Sequence, residues 1–239
     1  MHGDVVKISE MTWMHVEEYL ANDDRCVLPL GSTEQHAYIS LSTDSILSER
    51  VATEAAEPLG IPVFPALAYG ITPYFMAYPG TVTLSPTTYE QLLTEILASV
   101  RRHGFRRILV VNGHGGNSPA RPAVEAWAAR REGVQLRWHD WWKAPRVRAA
   151  IDRIDPDASH ASWMETFPWT RVPGVELPDG HKAPVDLSDR DDISLSRLRE
   201  EMGDGSFGGF YERPEEEMLA VWKTAIEETR ERLDGAWDE

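Results

Sequence analysis

The sequence predicts an α/β fold, a mostly parallel sheet flanked by helices, and three observations predict it. Short apolar runs alternate along the chain with segments of helical length and pattern. The apolar runs are continuous rather than alternating, as in strands covered on both faces. The residues richest in chemistry follow directly after two of these runs, where ligands sit in open α/β sheets.

The elements follow in chain order. CVLPLG (26–31) is the first strand, and Cys26 falls inside it. SILSERVATEAAE (45–57) reads as a helix with Asp44 at its start. IPVFPALAYG (61–70) is a second strand candidate. Ser85 then caps a helix with Pro86 at its first position, filled by 89–102. RRILVVNG (106–113) is the third strand candidate, and Ser118-Pro119 opens a helix running to about Arg131. VQLRWHDWW (134–142) is the fourth strand candidate. The glycine-rich stretch 203–210 predicts a mobile loop. Pro214 starts a last helix, in which Leu219, Trp222, Ile226, Thr229 and Leu233 form one stripe.

Composition narrows the function. The 239 residues suit one domain spanning 1–239, and the net charge is −15. That charge argues against nucleic acid, whose phosphates need clustered cations, and against anionic membranes. A single cysteine excludes an internal disulfide framework and suits a reducing compartment. The start, MHGDVVKISEMTW, lacks a signal-peptide pattern, and no run of 18 apolar residues would span a membrane. A soluble, cytoplasmic protein is the expectation.

The first strand leads into STEQH and then Asp44; the third leads into NGHGGN; SHASWMET comes later. Glu34 and His36 are two apart and point the same way on an extended segment. His114 hangs from a glycine-bracketed turn, and Glu165 is a fifth candidate. Three carboxylates and two imidazoles suit paired Zn²⁺, Mn²⁺ or Fe²⁺ better than Ca²⁺. Each residue also has a plainer role. Asp44 alone is a helix N-cap, and Ser162 with Glu165 forms a capping-box pattern. Gly113, Gly115 and Gly116 alone mark a tight turn that lacks the lysine and spacing of a P-loop.

GSTEQHAYISLSTD (31–44), YPGTVTL (78–84), VVNGHGGN (110–117) and SHASWMET (159–166) together resemble the creatininase (creatinine amidohydrolase) family. The resemblance implies a creatininase-like fold, a binuclear metal site and a homohexamer. It implies that Glu34 and His114 hold one of two divalent ions, zinc with manganese or iron as alternatives. His36 would hold the other, and Asp44 would bridge them. The creatininase enzyme has a glutamate two residues after its NGH histidine, where this chain has Gly116, so Glu165 would take that role. His160 would be a proton shuttle or substrate contact.

The implied chemistry is attack on a carbonyl by metal-activated water, with the amides of Gly115 and Gly116 as oxyanion donors. Many relatives carry a histidine before the PGT motif, where this chain has Phe75 beside Tyr74. Nine tryptophans, Trp163 among them, belong either to the core and interfaces or to a stacking wall for a ring. The bond cleaved stays open between amide C–N hydrolysis and C–C opening of an oxidised inositol such as 3-dehydro-scyllo-inosose. A non-catalytic small-molecule-binding relative is the further alternative.

Overall fold

Three parallel strands carry the site in the computed structural model, which describes residues 6–237. Residues 1–5, part of the segment read for a leader, and 238–239 lie outside the described residues. In chain order the elements are α1 (Trp13–Leu20), β1 (Arg25–Leu30), α2 (Thr43–Ala56), α3 (Pro86–His103), β2 (Arg107–Asn112), α4 (Arg121–Ala129), β3 (Gln135–Asp140), α5 (Pro145–Ile154), β4 (His181–Lys182), α6 (Leu195–Met202), β5 (Gly209–Phe210) and α7 (Glu215–Asp234). The sheet order is β1-β2-β3, with Arg25 opposite Arg107 and Arg107 opposite Gln135.

Alternate side chains enter opposite layers, as strand geometry requires. Val27, Leu109 and Val111 pack in one core with Leu47, Val51, Val147, Met218 and Trp222. That layer brings together α2, α5 and α7. Cys26, Leu28, Leu30, Ile108 and Val110 enter a second core with Leu93, Leu97 and Val124, which belongs to α3 and α4. A third, smaller cluster of Phe75, Tyr78, Leu198 and Met202 gathers beside α6.

Several boundaries differ from the sequence reading. The 61–70 run makes only isolated parallel bridges, Val63 with Val27 and Leu67 with Leu30. Pro62 and Pro65 lack the N–H groups a continuous ladder needs. β3 stops at Asp140, and Trp141–Lys143 is a 3₁₀ turn. Ser118 does not cap α4; a 3₁₀ turn over Gly115–Ala120 precedes it, and Pro122 lies in its first turn.

Pro214 is the N-cap of α7 rather than its first residue. The buried stripe of that helix also runs through Met218, Val221, Trp222, Ala225, Thr229 and Leu233, leaving Leu219 exposed. The 203–210 stretch folds onto the site. Ser206 is buried, Phe207 N–H donates to His160 O at 3.1 Å, and Gly209–Phe210 forms β5 against β4. Its glycines serve backbone shape: Gly205, Gly208 and Gly209 have φ of 99°, 136° and 98°, values that favour glycine.

Candidate metal centre

The carboxyl ends of β1 and β2 and the first turn of α2 meet at one buried point. Glu34 and His36 follow β1. Asp44 is the second residue of α2, so the N-cap role it has in isolation goes to Ser42. His114 follows β2 after Gly113. A Cβ on Gly113 would meet the carbonyl of Asp44 and the side chain of Ser48, so only glycine lets β2 approach α2 this closely. Glu165 arrives from the loop after α5, with Oε2 accepting from Ala161 N–H at 2.6 Å.

Asp44 joins the group. Its Oδ1 lies 3.0 Å from His36 Nε2, and its Oδ2 lies 3.0 Å from His114 Nδ1. Ser32 Oγ donates to Oδ2 at 2.8 Å. Glu34 Oε1 is 3.3 Å from His114 Nδ1, and Glu165 Oε2 is 3.9 Å from His36 Nε2. Glu34, Asp44 and His114 form one candidate donor set; His36, Asp44 and Glu165 form another, and Asp44 belongs to both. A third grouping adds His160 to Glu34 and His36.

The outer nitrogens fix the tautomers. His114 Nε2 sits 2.9 Å from Ile71 O, and His36 Nδ1 sits 3.3 Å from Glu34 O. A carbonyl only accepts, so each of these nitrogens carries the proton. The opposite nitrogen of each ring faces the carboxylates, where it carries a proton or, with a cation held between them, would offer its lone pair to that cation. Metal-binding histidines are oriented this way by an outer hydrogen bond. Both carboxylate oxygens of Glu34 are buried without a hydrogen-bond partner. Such atoms are costly unless a charge meets them, so the donor set fits a cation.

The titration of these groups follows from burial and charge. Burial opposes charge on His36, but Asp44 beside it outweighs that and raises the imidazole to about 10. Burial also works against the Asp44 carboxylate, yet His36 and His114 hold it well below the usual range. For His114, burial is outweighed by Glu34 and Asp44, and its affinity for a proton rises. Glu165 is the exception. Burial lifts its carboxyl to about 7, with Asp44 adding and His36 opposing.

His160 stands beside the donor sets. Its Nδ1 is 3.7 Å from Glu34 Oε1, and its ring stacks on Phe75 at 4.7 Å and 15°. Its Nε2 lies 2.9 Å from Gln35 Nε2 and 3.1 Å from Gln35 O. Burial, followed by the neighbouring His36, pushes the imidazole down to about 4. A cavity of about 670 Å³ opens on this group, and Tyr74, Phe75, Gly115, Gly116, His160 and Glu165 all line it.

Trp163 does not line the cavity. Its side chain is fully buried in the α2–α5–α7 core, a correction to its expected place at the substrate. Trp141 and Trp169 pack in or against that same core, while Trp142 packs against the core and also lines the cavity. Sequence reasoning missed Gln35, whose Nε2 also donates to Gly205 O at 3.0 Å, and Ser32. It also missed Asn117, which accepts from Ile71 N–H at 3.2 Å and donates to Gly31 O at 3.1 Å. All three stand inside motifs already singled out, and their position beside the ligand candidates was the available signal.

Comparison with known proteins identifies the family. Residues 9–172 match the creatininase family, described as creatinine amidohydrolase. The chain belongs to the creatininase family of hydrolases. It is 35% identical to creatinine amidohydrolase of Pseudomonas putida over 121 residues, 47% of this chain and 46% of that protein. It is 38% identical to a mycofactocin precursor peptide peptidase of Mycolicibacterium smegmatis over 141 residues, 56% of this chain and 53% of that protein.

A 3-dehydro-scyllo-inosose hydrolase of Thermotoga maritima is 32% identical over 197 residues, 74% of this chain and 63% of that protein. The matched region thus spans about half of the first two relatives and less than two thirds of the third. A manganese creatininase structure superposes with a TM-score of 0.79 at 21% identity, covering 95% of this chain and 96% of that one. A zinc–zinc creatininase variant gives 0.77 at 22% identity with the same coverage. These two likenesses establish the fold.

Proposed function

We propose that this chain is a binuclear metal-dependent hydrolase that cleaves the C–N bond of a small amide. The observation that carries the reading is the sharing of Asp44, one oxygen toward His36 and the other toward His114, by two donor sets. Glu34 and His114 would hold one divalent ion, zinc or manganese, and His36 and Glu165 the other. When bound, the ions supply Lewis acidity, lowering the pKa of water and polarising a carbonyl.

The chain's own groups do the rest. Gly115 and Gly116 begin a 3₁₀ turn, so their N–H groups have no partner within it and are free to donate to a developing oxyanion. His160, neutral at pH 7, accepts a proton at Nδ1 from the attacking side and returns it to the leaving nitrogen. Phe75 and Gln35 hold that ring in place. Water adds across the C–N bond, giving a carboxylic acid and an amine. The reading also has the chain working as a homohexamer in the cytoplasm.

The inosose hydrolase relative, aligned over 197 residues, favours a second reading, C–C opening of an oxidised inositol. One experiment separates them. Metal-loaded protein is assayed with creatinine, formylated aminopyrimidines and oxidised inositols, beside metal analysis. Amide turnover with about two ions per chain supports the proposal. Turnover of the cyclic diketone alone moves the reaction to C–C cleavage. Absence of both metal and turnover leaves a binding protein.

A further inference from the structure

The charged residues around the cavity divide cleanly. Its carboxylates, Glu34, Asp44 and Glu165, all belong to the buried donor sets. Its cations, Lys143, Arg148 and Arg190, do not. Acidic residues outnumber basic ones 39 to 24 in the chain, so a lining whose remaining charges are all basic runs against the composition. Arg148 is already committed: it pairs with Asp152 and donates to Ala158 O at 3.2 Å.

Lys143 and Arg190 are different. Both are exposed, and among the described residues neither has a carboxylate within ion-pair distance. Lys143 Nζ lies 5.4 Å from the Trp142 ring centroid, and the Arg190 guanidinium lies 5.2 Å from that of Tyr74. The segment bearing Arg190 is rich in aspartate. Asp191, however, accepts from the Tyr74 hydroxyl at 2.6 Å, and none of Asp186, Asp189, Asp191 or Asp192 lines the cavity. Much of the remaining wall is apolar, including Ile71, Phe75, Met164, Leu198, Met202 and Phe207.

We infer that Lys143 and Arg190 make this cavity a carboxylate-binding one, and that its substrate is an amide with an apolar body and a free carboxylate. A neutral, polyhydroxylated ring would find apolar wall where it needs hydrogen bonds and would leave both cations unused. N-acyl amino acids and peptide C termini share the chemistry that these groups would recognise. The inference rests on the C–N hydrolase reading for the amide, but the charge preference is read separately, by binding.

Calorimetry on metal-loaded protein compares N-acetylphenylalanine with its carboxamide, on wild type and on the Lys143→Gln/Arg190→Gln double variant. Both side chains are exposed, so the fold tolerates the change. The acid is expected to bind wild type about tenfold or more tightly than the carboxamide, since a charge-assisted contact is lost in the latter. The preference should fall to about threefold or less in the double variant. Equal binding of acid and amide to wild type overturns the inference. So does a preference that survives in the double variant, because the metals rather than the two cations would then be its source.

A tripeptide ending in phenylalanine, run beside N-acetylphenylalanine, tells the two substrate sources apart by which binds more tightly. Turnover keeps the two readings distinct. Cleavage of amides without acid preference sinks only the carboxylate subsite. Acid preference without cleavage of any amide sinks only the C–N hydrolase reading.

Discussion

Asp44 is the residue on which the proposed metal centre turns, because it belongs to both candidate donor sets. Replacing it with asparagine keeps the shape and removes the charge. Asp44→Asn is expected to lower the bound metal from about two ions per chain to one or fewer, and turnover by about a hundredfold or more. Elemental analysis of the purified variant measures the first; an unchanged stoichiometry removes Asp44 from the centre. Glu165 touches one donor set only. Glu165→Gln should therefore weaken one ion and spare the other, which a chelator titration reads as one easily lost ion in place of two held alike. If both ions stay equally tight, the carboxylate serves only to hold the loop through Ala161 N–H.

Among the elements, β3 and α7 meet over a buried histidine. His139 lies on β3, and its Nε2 is 3.1 Å from Thr229 Oγ1 on α7. Burial first, then Arg232, pushes its pKa from 6.5 down to about 4. The unfolded chain therefore binds a proton in this window that the folded chain does not. Stability is whole above pH 6.5 and falls as pH drops toward 4, by about 1.4 kcal/mol per unit and about 3 kcal/mol in total. Urea unfolding of wild type and His139→Gln at pH 7, 5.5 and 4 tests this. A wild type that weakens no faster than the variant would show that the histidine is already charged in the fold.

The same element pair shows what the sequence made legible. Continuous apolar runs revealed β1 and β2, which are buried after their first residue, whereas β3 interleaves Gln135, Arg137 and His139 with apolar residues and is only half-buried over its first half. The α7 stripe was placed correctly at Trp222, Ile226, Thr229 and Leu233 and missed only at its first position, since Leu219 and Met218 are equally apolar and only packing decides which turns inward. The 61–70 run was read as a strand on apolar content, and its prolines decided otherwise. At the site, side-chain chemistry after β1 and β2 gave Glu34, His36, Asp44 and His114 as ligand candidates, and Glu165 came from the later SHASWMET motif beyond α5. Trp163 misled, because an aromatic near a motif does not declare whether it faces the ligand or the core.

At the scale of the whole molecule, the candidate metal centre would tie the layers together. Glu34 and His36 come from the end of β1, His114 from the end of β2, Asp44 from α2, and Glu165 from the segment beyond α5. Two ions held by these residues would join parts of the chain more than a hundred positions apart. They bind only the folded chain with this geometry, so their binding energy adds to stability by mass action. At a free-ion concentration about a thousandfold above Kd, one ion contributes about 4 kcal/mol. For a chain of this size each kcal/mol moves Tm by about 2–4 °C. Stripping both ions should therefore lower Tm by roughly 15–30 °C, and adding zinc or manganese back should restore it. Asp44→Asn should start near the stripped value and gain little from added metal. Scanning calorimetry of the three samples settles the matter: a chelated wild type that melts with the loaded one would mean that the five residues hold each other through His–carboxylate pairs alone, with no ion between them.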